Sequence, residues 1–346
     1  MKNMDFQELH TAVLGMLPCP VSKDKIKISS LREGGNNRLY RVETPGCNYV
    51  LKCYFRHPGD TRNRLDAEFA FATFAWRHGI HCIPEPFCRN DSTFCALFGL
   101  VEGQPLSSGD IGSREISLAL DFFNDLNALR THSDALALAN ASESCFTLHE
   151  HILRINERFD WLRTIIISDE LDRQCLEYVK SPLTGAWMQI RHRIESSVDY
   201  STDVPLKPTD RVISPSDFGF HNAIKTDTGL FFLDFEYAGW DDPAKVAGDF
   251  FSQVAVPVPM ESFTLVAEAI SKAASVPENM LRRIRLLLPL YRIKWCCILL
   301  NDFLLIDGAR REFAQGGASE RKKEQLKKSE NLLASLEQFT TVISRN

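Results

Sequence analysis

The sequence lacks the excess of positive charge that nucleic-acid-binding proteins carry. Its 346 residues include 40 lysines and arginines against 45 aspartates and glutamates, which gives a net charge of −5 and a pI near 6.0. A dedicated nucleic-acid binder would show a basic stripe. We therefore expect no nucleic-acid partner, and the charge suits a cationic or neutral small molecule better.

Metal-binding cysteine motifs and an apolar leader are also missing. The ten cysteines form no Cys-x-x-Cys pair and do not cluster with histidines, which argues against a zinc site and indicates reduced, mostly buried thiols. The first eight residues lack the apolar core of a signal peptide. These features predict a cytoplasmic protein in a reducing compartment.

No long hydrophobic run is free of polar residues. The most apolar stretch, residues 286–306, is interrupted by Pro289, Arg292, Lys294, Asn301 and Asp302. Such a stretch does not suit a membrane-spanning helix. It predicts a buried core helix, so we expect no membrane association.

What the sequence does contain is an acid, an amide and a second acid at a characteristic spacing. Asn222 lies five residues after Asp217, and Asp234 lies twelve residues after Asn222. Phosphoryl transfer needs a carboxylate that deprotonates the attacking hydroxyl, and an amide and a carboxylate that hold magnesium. Asp217, Asn222 and Asp234 supply these groups in that order.

The residues around this trio favour a catalytic role over ordinary turn and capping roles. Residues 211–213, 223–225 and 230–233 have strand patterns, with a turn at 226–229 between the last two. Asp217 and Asp234 thus follow strand ends, where rigid backbone can hold side chains over a cleft. Taken singly, each of the three would still be read as a turn or cap residue.

A second group of candidates lies near the N-terminus. Adjacent glycines in Gly34-Gly35-Asn36-Asn37 let backbone N–H groups approach phosphate oxygens closely. The strand pattern of residues 48–55 contains one lysine, Lys52, which needs a partner. Glu68, on a helix predicted over residues 61–78, is the best candidate for that ion pair.

Together these motifs resemble the aminoglycoside phosphotransferase and choline kinase family of small-molecule kinases, distant relatives of the protein kinases. The resemblance covers residues 26–251. It implies an α+β, bilobal, protein-kinase-like fold with a small antiparallel β-sheet N-lobe, residues 1–102, and a larger, mainly helical C-lobe, residues 103–346. It also implies an enzyme that uses ATP and Mg²⁺ to phosphorylate a hydroxyl of an amino alcohol, a sugar or an aminoglycoside-like molecule.

The resemblance assigns a role to each candidate residue. Asp217 becomes the catalytic base, Asn222 and Asp234 the magnesium ligands, Lys52 the phosphate-binding lysine and Glu68 its orienting partner. The glycine loop, residues 34–37, covers the phosphates, and backbone groups of about Leu100 to Glu102 hold the adenine. Asp249 matches a family aspartate that braces the loop carrying Asp234, which we call the metal loop.

One departure keeps other functions open. The family has a histidine two residues before the catalytic aspartate, and this chain has Pro215. The loss puts the geometry of the loop in doubt, and a nucleotide-binding pseudokinase with a regulatory or scaffold role is the main alternative. A protein kinase is a third reading.

Several side chains could border the acceptor pocket or belong to the core. Tyr237 and Trp240, after the metal loop, fit both roles equally. For the polar residues along the 286–306 helix we favour pairing with one another or with water. Helical patterns also cover residues 114–132, 148–167, 183–198 and 319–339. The last should pack on the large lobe, with a homodimer contact as the alternative.

Overall fold

The computed structural model describes residues 6–31, 37–56, 60, 62–305 and 318–345. These residues form a small lobe built on a five-stranded antiparallel sheet and a larger lobe made mainly of helices. This is the bilobal α+β architecture predicted from the sequence. The predicted boundary at residues 102 and 103 lies on the connection that follows the sheet, and it stays a prediction.

The small lobe consists of two helices and five strands. Its elements are α1 (Phe6–Leu14), β1 (Lys27–Ser30), β2 (Arg38–Glu43), β3 (Asn48–Cys53), α2 (Arg64–Arg77), β4 (Pro86–Asn90) and β5 (Cys95–Gly99). The strand order is β1-β2-β3-β5-β4, so β3 is central. Because side chains alternate along a strand, Leu51 packs in a cluster with Val13 of α1, while its neighbour Lys52 lies on the other face.

Helix α2 covers the face of the sheet that carries Lys52. Asn63 caps its start by accepting a hydrogen bond from the Asp66 N–H. Leu65, Phe71 and Phe74 are buried in the main core. That packing fixes the rotation of the helix and so directs Glu68 inward.

Helices dominate the large lobe. They are α3 (Ser113–Ala128), α4 (Leu148–Arg163), α5 (Glu170–Tyr178), α6 (Thr184–Glu195), α7 (Val198–Ser201), α8 (Pro243–Ser252), α9 (Phe263–Ser271), α10 (Pro277–Leu299), α11 (Ala318–Ala334) and α12 (Leu336–Arg345). A π-helical segment, Val179–Leu183, joins α5 to α6. Helix α10 packs against α8, α4, α6 and α11. Residues 286–299 of the apolar stretch therefore lie in a core helix, as predicted, but the helix ends at Leu299 and a short 3-10 helix, Leu300–Phe303, follows it. Residue 306 lies outside the described residues.

In the part of the chain that the structure describes, no helix combines the length and apolarity needed to cross a bilayer.

The two C-terminal helices pack on the large lobe. Leu326, Leu332 and Phe339 are buried in the main core, and the Arg292 guanidinium of α10 lies 4.4 Å from the centre of the Phe339 ring. This matches the packing predicted for residues 319–339. A homodimer stays a prediction.

Five short strands flank the loops that carry Asp217 and Asp234. They are β6 (Gln104–Pro105), β7 (Val212–Ser214), β8 (Ala223–Thr226), β9 (Gly229–Phe232) and β10 (Gly239–Asp241). Strand β7 pairs with β10, and β8 pairs with both β6 and β9. Gly239 has φ +155°, and a Cβ there would lie 2.3 Å from the Ala139 carbonyl oxygen. Only glycine allows this close approach.

Candidate active site

The loop after β7 holds Asp217 in place through strained backbone and buried hydrogen bonds. Ser216, directly before it, has φ +66°, which is uncommon for a residue with a side chain. The Ser216 N–H donates to Ser214 Oγ at 2.9 Å, and the Asp217 N–H donates to the Pro215 carbonyl oxygen at 2.9 Å. Such strain persists where surrounding contacts determine the conformation, as at catalytic loops.

A buried lysine anchors the same loop. Lys245 of α8 donates to Ser216 Oγ at 2.8 Å and to Asp241 Oδ2 at 2.6 Å. Although burial lowers the pKa of Lys245, the carboxylates of Asp241 and Asp249 raise it above its ordinary value. The ammonium group therefore fixes the loop without the histidine that Pro215 replaces.

Asp217 contacts two residues that follow it in the sequence. His221 Nε2 lies 3.2 Å from Asp217 Oδ1, and Asn222 Nδ2 donates to Asp217 Oδ2 at 3.2 Å and to its backbone carbonyl at 3.0 Å. Burial raises the pKa of Asp217, but His221 and Asn222 lower it below its ordinary value. Asp217 is therefore ionised at neutral pH, as a general base must be.

The metal loop after β9 meets the small lobe directly. Asp234 has φ +65°. The Lys52 ammonium nitrogen lies 2.6 Å from both Asp234 Oδ1 and Glu68 Oε2. The other Glu68 oxygen accepts the Phe235 N–H at 3.3 Å. The predicted Lys52–Glu68 ion pair is thus present. The Lys52 ammonium group also pairs with Asp234, so it joins the small lobe to the loop after β9.

The charges of this group are strongly coupled. Burial raises the pKa of Asp234, and the carboxylates of Glu236 and Glu68 raise it further against the opposing effect of Lys52. Burial lowers the pKa of Lys52, but Asp234 and Glu68 raise it well above its ordinary value. A cation bound at Asp234 would relieve this accumulation of negative charge.

A backbone bond joins the two loops. The Leu233 N–H, directly before Asp234, donates to the Asn222 carbonyl oxygen at 2.8 Å. Since the Asn222 amide nitrogen is turned toward Asp217, its side-chain oxygen is the atom available to a metal. Amide and carboxylate oxygens are the ligands that magnesium prefers. The donor atoms present therefore fit a magnesium ion.

Glu236, the last residue of Asp234-Phe235-Glu236, connects the two lobes. Glu236 is buried and accepts a hydrogen bond from Asn37 Nδ2 at 2.7 Å across the lobes. The fully buried Arg64 of α2 lies 3.8 Å from Glu236. Of the predicted glycine loop, only Asn37 is among the described residues; Gly34, Gly35 and Asn36 lie outside them.

The predicted adenine contact follows β5. The Leu100 N–H donates to the Asn48 carbonyl oxygen at 3.1 Å, so this donor is already engaged. The exposed carboxylate of Glu102 pairs with Arg41 at 2.9 Å. A role for residues 100–102 in binding adenine stays a prediction.

Asp249 takes part in a different contact from the one implied by the resemblance. Its carboxylate accepts hydrogen bonds from Lys294 and Trp295 of α10, at 3.0 Å and 2.9 Å, and lies 3.6 Å from Lys245. Through Lys245 it supports the loop that carries Asp217. The contacts described for its side chain include none to the metal loop.

A cavity of about 380 Å³ opens beside Asp217. Polar side chains and two aromatic rings line most of it, together with Ala255 and Ile298: Arg62, Ser142, Glu143, Arg158, Ser216, His221, Tyr237, Asp249, Lys294, Trp295, Asn301, Arg321 and Gln325. This volume suits a small-molecule ligand. Lys294, Trp295, Ile298 and Asn301 therefore border the cavity, whereas the interpretation favoured from the sequence is that the polar residues of this helix pair with one another or with water.

Tyr237 and Trp240, the two aromatic residues after the metal loop, have different surroundings. Tyr237 lines the cavity. Trp240 packs against the main core and donates its indole N–H to the Ala135 carbonyl oxygen at 2.9 Å. Tyr291 and Asp302 are buried and do not line the cavity.

Sequence reasoning missed His221, Ser216, Lys245 and the residue pair Glu143–Arg158. His221 had a local signal, since it stands directly before Asn222. Lys245 follows Asp241 by four residues, but this spacing does not indicate that the lysine side chain faces inward and pairs with the aspartate. Glu143 and Arg158 gave no signal, because only the fold brings them near Asp217.

Solved structures of small-molecule kinases share this fold. Spectinomycin phosphotransferase in complex with ADP and spectinomycin matches at TM-score 0.65 and 10% identity, with 97% of this chain and 100% of that chain covered. A choline/ethanolamine kinase family protein of Mesorhizobium loti matches at 0.58 and 15%, covering 98% and 99%. Amicoumacin kinase in complex with AMP-PNP, Ca²⁺ and Ami matches at TM-score 0.57 and 12% identity, covering 97% and 94%. Because the sequence identities are this low, the structural similarity establishes the fold alone.

Comparison of the amino-acid sequence with protein-family profiles identifies the family. No curated protein matches the chain. The profile described as "Phosphotransferase enzyme family" matches residues 27–287, which include Lys52, Glu68, Asp217, Asn222 and Asp234. The chain therefore belongs to the phosphotransferase enzyme family.

Proposed function

We propose that the protein is an active kinase that transfers the γ-phosphoryl group of ATP, with magnesium, to a hydroxyl of a small molecule. The observation that carries this proposal is the pairing of Lys52 with both Glu68 and Asp234 next to the Asp217–Asn222 contact. Lysine, orienting glutamate, base and two metal-ligand candidates are all present. Neighbours of the same fold bind ADP, or AMP-PNP with a divalent ion.

In this proposal each residue acts on the nucleotide or the acceptor. Lys52, held by Glu68, binds phosphate oxygens, while Asn222 and Asp234 hold magnesium. The metal offsets negative charge on the transferred group. Asp217 accepts the proton of the acceptor hydroxyl, whose oxygen lies in the cavity beside it. Closure of the two lobes excludes water from the reacting groups.

The pseudokinase alternative depends on the missing histidine at position 215. Bonds from Ser214 and Lys245 to Ser216 hold the loop in its absence. The ionised Asp217 beside a cavity also supports turnover over a purely structural role. A cytoplasmic location, where ATP is abundant, agrees with ten free cysteines and remains part of the proposal.

The test is acceptor-dependent formation of ADP from ATP and magnesium. Asp217→Asn should lower kcat about a hundredfold or more, as expected for loss of a general base, and leave nucleotide binding intact. Asp227→Asn, in the exposed turn between β8 and β9, is the matched control and should leave kcat unchanged. Equal activity of Asp217→Asn and the wild-type protein would reject the proposed role of Asp217.

A further inference from the structure

Two histidines and an aspartate meet where a helix of each lobe ends. His78 caps the C-terminus of α2 in the small lobe, and its backbone N–H donates to the Ala75 carbonyl oxygen at 3.2 Å. His132 and Asp134 lie in the turns that follow α3 in the large lobe. The imidazole rings of His78 and His132 pack edge to face, with their centres 4.7 Å apart. The group therefore joins the two lobes at a place away from Asp217.

The side-chain atoms of these three residues are close enough to share one ion. One ligand atom from each of His78, His132 and Asp134 lies within 4.8 Å of the other two. Among the described residues, this is the one group of three or more histidine, cysteine, aspartate or glutamate side chains that meets this condition. Cysteine takes no part in it, so the lack of Cys-x-x-Cys motifs does not bear on the group.

The present contacts leave ligand atoms open to an ion. His78 Nε2 lies 2.7 Å from Asp134 Oδ2, and this hydrogen bond lowers the pKa of Asp134 below its ordinary value. The carboxylate is therefore ionised at neutral pH. Within the described part of the chain, no protein group forms a hydrogen bond to the His132 ring, which is exposed. Both nitrogens of that ring can therefore reach a ligand.

The backbone of the large-lobe segment is held firmly while its side chains can rotate. The His132 N–H donates to the Leu129 carbonyl oxygen at 2.9 Å, and the Ala135 N–H donates to the His132 carbonyl oxygen at 3.1 Å. The Ala135 carbonyl in turn accepts the Trp240 indole N–H at 2.9 Å. A rigid backbone with adaptable side chains suits a metal site, because the ligands need only small adjustments.

The ligand types favour a transition metal over magnesium. Zinc binds imidazole nitrogens and carboxylate oxygens at about 2.0–2.2 Å, so two ligands of a tetrahedral zinc ion lie about 3.3 Å apart. Atoms that now lie within 4.8 Å of one another reach that separation by side-chain shifts of about 1 Å. Magnesium prefers oxygen ligands, whereas imidazole suits zinc. The C-terminal end of the α2 dipole also favours a cation at His78.

We propose that His78, His132 and Asp134 bind a zinc ion, with water as the fourth ligand. The ion takes the place of the hydrogen bond between His78 Nε2 and Asp134 Oδ2, and the His78 ring then carries its single proton on Nδ1. Glu68, which pairs with Lys52, stands on the same helix, about 15 Å along its axis from His78. Zinc would thus tie the helix that orients Lys52 to the large lobe. This inference does not depend on the proposed kinase function.

The test is calorimetric titration of the full chain with zinc in excess magnesium, so that sites with oxygen ligands are filled by magnesium. His132→Gln removes one ligand from an exposed position and should weaken zinc binding about tenfold or more, since loss of a group that only supports a ligand already costs that much. His192→Gln, which removes an exposed histidine of α6, is the matched control and should bind zinc as the wild-type protein does. Equal zinc affinity in the two variants, or no zinc binding by the wild-type protein, would overturn the proposal.

Two further variants test the ligand set. His78→Gln should weaken zinc binding as much as His132→Gln, because the ion needs a ligand from each lobe. The double variant Cys19→Ser/Cys47→Ser, which removes the two exposed thiols, should bind zinc with the wild-type affinity. Full affinity in His78→Gln would contradict the link between the lobes, and loss of binding in the cysteine variant would assign the zinc to thiols.

Thermal unfolding gives a second measure of the same site. A ligand that binds only the folded protein stabilises it, so zinc at about 100 times its Kd should raise the Tm of the wild-type protein and of His192→Gln. The increase should be smaller in His132→Gln and should disappear when EDTA removes the zinc. An increase of the same size in both histidine variants would place the zinc elsewhere.

Discussion

Lys52 Nζ lies 2.6 Å from Asp234 Oδ1, so the central strand of the small lobe bonds directly to the carboxylate that we assign to magnesium. The bond crosses the crevice between the lobes. It places the phosphate-binding and metal-binding groups within one charge cluster.

Substitutions at these two residues should separate their roles. Asp234→Asn should weaken nucleotide binding about tenfold or more and remove its dependence on magnesium, because a metal ligand is lost. Lys52→Met should also weaken nucleotide binding but retain the magnesium dependence. Titrations of nucleotide at several magnesium concentrations test both variants. A magnesium response that survives in Asp234→Asn would contradict the ligand assignment.

The Lys245–Ser216 bond should be needed for turnover and not for nucleotide binding. Ser216→Ala removes the hydroxyl that accepts from Lys245, so we expect kcat to fall about tenfold with the nucleotide Kd unchanged. Ser92→Ala, in the exposed turn between β4 and β5, is the control. If kcat is the same in both variants, Asp241 alone suffices to anchor Lys245.

The stability contributed by His151 should decline as the pH falls through the ordinary range of histidine. Buried His151 lies 3.0 Å from Asp242 and 2.9 Å from the Tyr291 hydroxyl, and burial lowers its pKa despite the opposing effect of Asp242. Below about pH 6.5 the unfolded chain takes up a proton that the folded protein resists, which favours unfolding. The contribution of His151 to the free energy of unfolding should therefore decrease from about pH 7 to about pH 5, while three groups whose pKa values are raised contribute with the opposite sign: Asp234, Asp241 and His221. Denaturant titration of the wild-type protein and of a His151 variant measures the His151 contribution as a difference.

Variants on helix α4 can assign this pH dependence. His151→Gln should be less stable than the wild-type protein at neutral pH. Acidification should lower its free energy of unfolding by less than that of the wild-type protein, because the titrating group is gone. His149→Gln removes an exposed histidine of the same helix and should keep the wild-type slope. An unchanged slope in His151→Gln would assign the pH dependence to other groups.

Two helical glycines should respond to alanine with opposite signs. A Cβ at Gly248 of α8 would lie 2.3 Å from the Tyr291 ring of α10, so Gly248→Ala should lower the free energy of unfolding by about 1–3 kcal/mol. At Gly185 of α6 nothing lies within 4 Å of such a Cβ, and Gly185→Ala should raise the free energy by about 0.5–1 kcal/mol. Thermal or denaturant unfolding tests this; destabilisation by both would show that propensity does not govern position 185.

The elements predicted correctly from the sequence share one property. The Lys52 strand, the Glu68 helix and the β8–β9 hairpin between Asp217 and Asp234 are each defined by local periodicity and turn residues, and the fold then brings them together. Element ends were less predictable. The helix predicted over 148–167 ends at Arg163, because Thr164 caps it, and the one predicted from residue 183 follows a π-helical segment that contains Pro182.

What could not be predicted depends on packing between distant elements. Asp249 and Lys294 stand on separate helices, and only the packing of α8 against α10 turns both toward the cavity. Glu143 and Arg158 meet because the segment before α4 folds back beside that helix. The ion pairs beside the cavity therefore could not be predicted from local sequence patterns.

The cross-lobe bonds of Glu68 to Phe235 and of Asn37 to Glu236 bear on how such proteins can be recombined. Each bond pairs a side chain of the sheet lobe with the Asp234-Phe235-Glu236 segment of the other lobe. A chimaera that exchanges the first hundred or so residues with those of a relative would therefore need a matching segment at 234–236. The two halves of this chain form one co-adapted unit and are not independent modules for grafting.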